Sequence, residues 1–327
     1  MEATDKKVLS VKNLSTQFNT HAGIIRAVNR VSFNLEERKC LALIGESGAG
    51  KSVTGLSLMR LVPKPGKIVS GEATLFEENG DTVNLLSLNG RETRRIRGEK
   101  VAMVFQDSLS TFNPVMTIGR QITQVVMAHR KTGIKEAEEL VTEKLRQVGL
   151  PPQRTAGSYP FQLSGGMRQR ASLAMALSLH PRVIIADEPT TSLDSTMQIQ
   201  VLAELKKQLE ACCSTLLFIT HDLAAASVIA SHIAVLYGGM IVEQGPAPEI
   251  LQNPQHPYTR ALINSHPAFC SQNRLKPITG APPSPLNMPD GCPFHPRCPE
   301  ATARCHKEKP LYKEKKTDHL FACYKAG

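Results

Sequence analysis

The apolar run KCLALIG (residues 39–45) leads directly into the glycine-rich stretch GESGAGKS, Gly45 to Ser52, and a helical pattern opens at about Lys51. No other stretch constrains the fold as tightly. Glycines let the backbone wrap so that successive N–H groups point inward at phosphate oxygens, while the following helix start adds a positive dipole end. In such a turn Lys51 reaches the β and γ phosphates and the Ser52 hydroxyl ligates magnesium. A strand, a glycine loop and a helix in that order belong to an open, mostly parallel α/β sheet.

The rest of the chain agrees with that class. Strand-like segments (VLSVKNL, VSFNL, VAMVFQ, RVIIADE, TLLFIT, HIAVLYG and MIVEQG) alternate with helical patterns such as MQIQVLAELKKQLEA. Between Gln106 and Ser164 the alternation stops. TIGRQITQVVMAHR and IKEAEELVTEKLRQVGL follow each other with no strand between, so residues from about 107 to 164 read as a helical insert. Gly149 can take a left-handed cap there, and Pro151 forbids continuation. Beyond residue 252 the texture changes to prolines and histidines, as in NPQHPYTR and APPSPLNMPDGCPFHPRC. With 327 residues and 41% hydrophobic content the chain buries a full core and exceeds one typical domain. A large domain over 1–252 and a smaller one over 253–327 are expected.

VIIADEP delivers Asp187 and Glu188 to the carboxyl end of an apolar strand, where ligands bind in open α/β sheets. Asp187 suits a magnesium site. Glu188 suits activation of a water attacking a γ phosphate. Gln106, closing VAMVFQ, can contact magnesium or that water, and His221, closing TLLFIT, can reach the γ phosphate. The stretch FQLSGGMRQR adds a second anion site: Ser164, Gly165 and Gly166 place a hydroxyl, free backbone N–H groups and a dipole end together. One chain already holds its phosphate loop. This second site is therefore expected to serve a nucleotide held by another subunit.

Four of the eight cysteines, Cys292, Cys298, Cys305 and Cys323, crowd the tail with five, six and seventeen residues between them. They supply thiolates enough for a 4Fe–4S cluster or a tetrahedral zinc. The spacing matches neither the usual zinc ribbon nor the bacterial ferredoxin run, so it leaves the metal open. Pro293, Pro296 and Pro299 hold the first two cysteines in a non-helical loop, and His295 and His306 lie close enough to substitute as ligands.

Charge and hydropathy narrow the class. Lys and Arg total 39 against 29 Asp and Glu, which suits nucleic acid, lipid headgroups or phosphorylated ligands alike. The two basic stretches, GRETRRIRGEK and KEKKTDH, lack the interleaved aromatics of a nucleic-acid reader; the chain has 5% aromatics and no Trp. They read as solvated faces or as attraction to an anionic membrane surface. No apolar run is long enough for a membrane span, and the N-terminus lacks a secretory signal. A cytosolic chain with reduced cysteines is expected.

Taken in order, GESGAGKS, Gln106, LSGGMRQR, VIIADEP, SLD at 192–194 and His221 resemble an ATP-binding-cassette (ABC) ATPase, over nearly all of the first 250 residues. The resemblance implies a P-loop NTPase of the ABC type: a RecA-like core with an antiparallel β subdomain and a helical insert. It implies ATP bound by Gly45, Glu46, Ser47, Gly48, Ala49, Gly50, Lys51, Ser52 and Val53, and magnesium held by Ser52, Gln106 and Asp187. Glu188, His221, Gln106 and Lys51 would be catalytic, and Phe18 would stack on adenine. Ser164, Gly165 and Gly166 would contact ATP across a head-to-tail dimer, with Asp194 at its seam. The tail, NPQHPYTRALINSHP followed by GCPFHPRCPEATARC, resembles the extension of oligopeptide, dipeptide and nickel importer ATPases, some of which carry a 4Fe–4S cluster there. The partners so implied are a second ABC ATPase subunit, two transmembrane permease subunits and an extracytoplasmic substrate-binding protein. The implied location is the cytoplasmic face of the inner membrane. A soluble ABC ATPase acting on DNA or ribosomes is the alternative.

Overall fold

The computed structural model describes residues 6–106, 111–190, 195–211, 213–269, 277–316 and 318–325. Asp194 lies outside the described residues. The elements follow in the order β1 (Lys7–Thr20), β2 (Gly23–Glu36), β3 (Cys40–Ile44), α1 (Lys51–Leu58), β4 (Gly66–Phe76), β5 (Thr82–Asn84), α2 (Gly90–Glu99), β6 (Val101–Val104), α3 (Ile118–His129), α4 (Ile134–Gln147), α5 (Pro152–Gly157), α6 (Gly165–Leu177), β7 (Val183–Asp187), α7 (Ser195–Ala211), β8 (Thr215–Thr220), α8 (Leu223–Ile229), β9 (His232–Tyr237), β10 (Met240–Pro246), α9 (Ala247–Gln252), α10 (Pro257–Asn264), α11 (Ala303–Lys307), β11 (Lys313–Lys316) and β12 (His319–Phe321). They group into two compact units. One gathers residues 1–8, 36–39 and 87–218, the other 9–35, 40–86 and 219–327.

In the first unit β6 pairs with β7 in parallel, Val101 opposite Val183 through Val104 opposite Ala186. Every residue of both strands is buried. An apolar run without polar alternation is what a parallel strand covered on both faces requires. The helices α3, α4 and α5 fill the stretch between these strands. Ile118, Ile122 and Val126 of α3 and Ala137, Val141 and Leu145 of α4 are buried at helical spacing. As expected, Gly149 takes the left-handed conformation after α4, at φ 70°, and Leu150 N–H closes the turn on Leu145 O at 2.9 Å. The basic stretch from Gly90 turns out to be helical up to Ile96, where Arg97 at ψ 127° and Gly98 at φ 86° break the helix. Asn89 Oδ1 accepts from the N–H groups of Arg91 and Glu92, while Glu92 Oε2 accepts from Asn89 N–H, a capping box.

In the second unit two sheets form. One has the order β2-β1-β4-β5, and its β1–β4 and β4–β5 pairs are antiparallel. Both β1 and β2 run several residues further than VLSVKNL and VSFNL suggest, bringing Phe18 into a strand opposite Gly66. The other sheet runs β11-β12-β10-β9-β3. Here β3 lies parallel to β9, and the β9–β10 hairpin turns at Gly238 and Gly239, both at positive φ. The tail strands extend this sheet: β12 pairs antiparallel with β10, Glu243 opposite Phe321. The lysine-rich β11 takes the edge, where repeated charge discourages pairing with another chain.

Candidate functional site

In the second unit, β3 carries the chain from a fully buried strand into Gly45. Both ends of the glycine loop require glycine. Gly45 has φ 153°, and a Cβ there would stand 2.2 Å from Leu236 O; Gly50 has φ 104°, and a Cβ there would stand 2.1 Å from Ala27 O. The β9–β10 turn buttresses the loop, since Gly239 N–H donates to Ala49 O at 3.0 Å. Helix α1 then starts at Lys51 with Gly50 as its cap, a residue with no side chain to accept from the first turn. Its leading N–H groups therefore present the positive end of the helix dipole to the loop.

Lys51 is only 6% exposed. Its Nζ donates to Gly45 O at 2.8 Å and to Glu46 O at 3.0 Å, so the ammonium lies folded over the loop. Phosphate oxygens offer stronger, charged acceptors for the same donors. Beside it, Ile25, Ala27, Glu46, Ser47, Gly48 and Ala49 line a pocket that the tail residues Pro282–Pro285 and Met288 also border. Phe18 is half-buried, and the absence of a side chain at Gly66 makes room for its ring. His221 is exposed just past β8, before α8, which Asp222 caps by accepting from Ala224 and Ala225 N–H.

The first unit holds the acidic strand end. Asp187 closes β7 and is 5% exposed. The chain then turns through Glu188 at φ 46°, a left-handed conformation that costs a non-glycine residue about 1 kcal/mol. Gln106 Nε2 donates to Glu188 Oε2 at 3.1 Å. Two residues separated by 82 positions are thus brought together as a carboxylate and the amide that orients it. In the same unit Ser164 caps α6, its Oγ accepting from Met167 N–H at 3.3 Å. The residue is exposed. Arg168 fixes the approach to the cap by donating to Leu163 O and Pro160 O.

The tail cysteines converge. Cys292, Cys298, Cys305 and Cys323 line one small cavity, closed on its other sides by Phe294, Pro310 and Tyr324 among others. Cys292 N–H donates to Cys305 O at 2.9 Å, tying the first and third together. Burial pushes the Cys292 thiol up to about 11, with the neighbouring sulfurs adding to the shift, and burial likewise raises Cys298. Bare thiolates are therefore disfavoured in this cavity. As placed, no three His, Cys, Asp or Glu side chains among the described residues are close enough to hold a metal ion.

Sequence reasoning overlooked the residues that support the phosphate loop from the tail. Arg297 Nη1 and Nη2 donate to the two carboxylate oxygens of Glu46, at 2.6 and 3.1 Å. Tyr258 Oη accepts from Glu46 N–H at 2.9 Å. The signal was an arginine and a tyrosine inside the proline-rich motifs already singled out, HPYTR and GCPFHPRC.

The comparisons with known proteins bear on both units. The profile of the ABC transporter family matches residues 28–191, and that of the oligopeptide/dipeptide transporter C-terminal region matches residues 242–305. The chain is 45% identical to a Brucella ovis protein named as a peptide import ATP-binding protein, covering 93% of this chain and 92% of that relative. It is 44% identical to the dipeptide transport ATP-binding protein DppD of Lactococcus lactis, covering 97% and 90%. Among solved structures, the dimeric bacterial ABC transporter cassette MJ0796 superposes with a TM-score of 0.65 at 28% identity, over 73% of this chain and 98% of that one. The same cassette in a post-hydrolysis state with ADP and Pi fits equally well. No helix among the described residues is long and apolar enough to cross a membrane. With the cassette profile spanning half the chain and relatives aligned over nearly all of it, this chain belongs to the ABC transporter family, as an ATP-binding subunit with the oligopeptide/dipeptide type of C-terminal region.

Proposed function

We propose that the chain is the ATP-hydrolysing subunit of an ABC importer that takes up peptides, coupling ATP binding and hydrolysis to the movement of transmembrane permease subunits. The observation that carries this reading is the continuity of the match: relatives named for peptide or dipeptide transport align through the cassette and the tail together. In this reading residues 1–252 form the ATP-binding domain, with a helical subdomain at about 107–164. Residues 253–327 form the extension.

The residues divide the work as follows. Gly45–Val53 bind the phosphates of ATP through backbone N–H groups and Lys51, whose ammonium moves from the loop carbonyls to phosphate oxygen. Ser52, Gln106 and Asp187 would hold magnesium, which supplies charge neutralisation on the β and γ phosphates. Glu188 accepts the proton of the attacking water, with the Gln106 amide orienting its carboxylate; His221 stabilises the charge that gathers on the γ phosphate. Phe18 stacks on adenine. Ser164, Gly165 and Gly166 complete the site of a second ATPase subunit, and Asp194 lies at that seam. Two ATPs bind well only to the closed dimer, so their differential affinity drives closure and hydrolysis reopens it.

A groove in the helical region supports the link to a membrane partner. Met127 and Ile134, 41% and 60% exposed, line it beside Thr117, Arg120 and Glu138, an apolar floor with a polar rim suited to a short helix of a permease subunit. The chain would then sit peripherally on the cytoplasmic face of the membrane, served by an extracytoplasmic peptide-binding protein. Cys292, Cys298, Cys305 and Cys323 would hold a 4Fe–4S cluster. What supports this is that all four cysteines line one small cavity; their side chains would have to draw together around the metal, which would then cross-link the tail.

Glu188→Gln tests the chemistry. The variant keeps the shape and the phosphate loop while losing the base, so ATP should accumulate on a closed dimer with turnover reduced about 100-fold or more. Normal hydrolysis would remove Glu188 from the mechanism. Recovery of integral membrane proteins with the chain from detergent-solubilised membranes supports the importer; ribosomes or DNA in their place would favour the soluble alternative.

A further inference from the structure

We infer that Arg297, from the cysteine segment of the tail, is a positioning residue of the nucleotide site, holding the phosphate loop in its binding shape through Glu46. The inference rests on the nucleotide-binding role of that loop. Glu46 is the second residue of the loop. Its N–H donates to Tyr258 Oη, its carbonyl accepts from Lys51 Nζ and from Ala49 N–H, and its carboxylate takes both Nη atoms of Arg297. Two of those four partners come from residues beyond the β10 strand. When Lys51 turns toward phosphate, its bond to the Glu46 carbonyl is given up. Only the local Ala49 turn bond and the two tail contacts then hold Glu46, and the tail alone ties it to the rest of the fold.

Arg297 is built into its position. Its side chain is 4% exposed, against 25% for that of Glu46. Besides the two bonds to Glu46, Nε donates to Thr279 O at 3.0 Å and Nη1 reaches Tyr237 Oη at 3.3 Å. Tyr237 itself is wedged against Tyr258 and Phe294, with ring centroids 4.5 and 5.2 Å away. The guanidinium therefore bridges the end of β9, the phosphate loop and the tail on a rigid aromatic floor. A planar fork with two parallel donors matches a carboxylate in a way that a lysine ammonium does not. Because Glu46 neutralises it, Arg297 acts on nucleotide binding by shape. It is not a charge offered to phosphate.

Its backbone links it to the cysteines. Arg297 N–H donates to Phe294 O at 3.0 Å within the short turn His295–Arg297, and Cys298 follows at once. The segment that would carry the metal ligands is thus also the strut of the loop. This gives the tail a place in the cassette's own chemistry, separate from any docking role.

The test is ATP affinity of the full-length chain, measured by equilibrium dialysis, together with kcat of the assembled complex at saturating ATP. Arg297→Gln and Glu46→Gln should each raise the Kd for ATP on the order of tenfold, the scale of coupling between linked sites, and for Arg297→Gln the loss should fall on Kd with kcat within about twofold. The double variant should be no worse than either single one, since the two side chains act as one unit. Arg297→Lys keeps the charge and should recover only part of the loss. Unchanged Kd in the folded single variants, or losses that multiply in the double variant, would overturn the proposal. Full recovery with Lys would also overturn it, by making Arg297 a simple charge. If Arg297→Gln does not fold, Arg297→Lys and Glu46→Gln decide the matter on the same readouts. A wild-type chain that binds no ATP would refute the nucleotide reading itself, whereas ATP binding indifferent to both residues refutes only the positioning role.

Discussion

His256 offers a quantitative test of how the tail is joined to the cassette. It is 1% exposed and caps α10: its Nδ1 accepts from Tyr258 N–H at 3.1 Å, and its own N–H donates to Glu243 Oε2 at 2.9 Å. Burial, helped by the charge of Arg260, pulls its pKa down to about 3, against an ordinary value of about 6.5 in the unfolded chain. A depressed histidine leaves stability intact above the unfolded value. Stability is then lost as the pH falls toward the folded value, because only the unfolded state takes up the proton. At pH 5 the unfolded histidine is almost fully charged and the folded one is not, so the loss relative to pH 8 is about 2 kcal/mol, from 1.36 kcal/mol per unit over about 1.5 units. The figure holds as long as the folded pKa stays below about 4. His256→Asn keeps a capping acceptor and removes the titration. Its lost packing against Phe294 is independent of pH and cancels in the comparison. The assay is urea unfolding followed by tyrosine fluorescence at pH 8 and pH 5. Four of the five tyrosines, Tyr237, Tyr258, Tyr312 and Tyr324, lie in the second unit, and the chain has no Trp. Wild type should lose about 1 M more in midpoint than the variant on acidification, for a slope near 2 kcal/mol per M. Equal losses in the two proteins would refute a buried, neutral His256.

Two further outcomes follow from the sites. Replacing Ser164 by Ala should impair hydrolysis in the assembled dimer without weakening ATP binding to the isolated chain; a large loss of affinity in the isolated chain would overturn its assignment to the neighbouring subunit's nucleotide. Metal and acid-labile sulfide analysis of protein purified without oxygen should find about four irons and four sulfides per chain, with a broad brown absorbance that Cys298→Ser reduces. Zinc, or no metal, would exclude the cluster and leave the ATPase assignment standing.

Much of the fold is written locally. The start of α1 at Lys51 and the left-handed stop at Gly149 follow from glycine chemistry, and β3, β7 and β8 from uninterrupted apolar runs. The candidate site is equally legible at its ends, since Gln106, Glu188 and Ser164 each stand at the boundary of an element whose type the sequence announces. What it does not announce is long-range pairing. β4 carries Gly66 and Gly71 and only scattered buried positions, so it has no clean alternation; its pairing with β1, across nearly sixty residues, is what makes it a strand. β11 and β12 are only four and three residues long, and they form because β10 offers an edge. Arg297 was hidden for the same reason: its partner Glu46 is 251 residues away. The capping box at Asn89 and Glu92, by contrast, was readable as N-x-x-E and was obscured only by the basic residues around it.

The central claim is that ATP turnover by this chain serves peptide uptake. The most direct measurement is ATP hydrolysis by the chain reconstituted in lipid vesicles with the permease subunits and peptide-binding protein proposed for it, with and without added di- and oligopeptides. Peptide should stimulate hydrolysis, and Glu188→Gln should abolish the stimulated rate. Hydrolysis indifferent to every peptide, in a complex that another solute stimulates, would contradict the account.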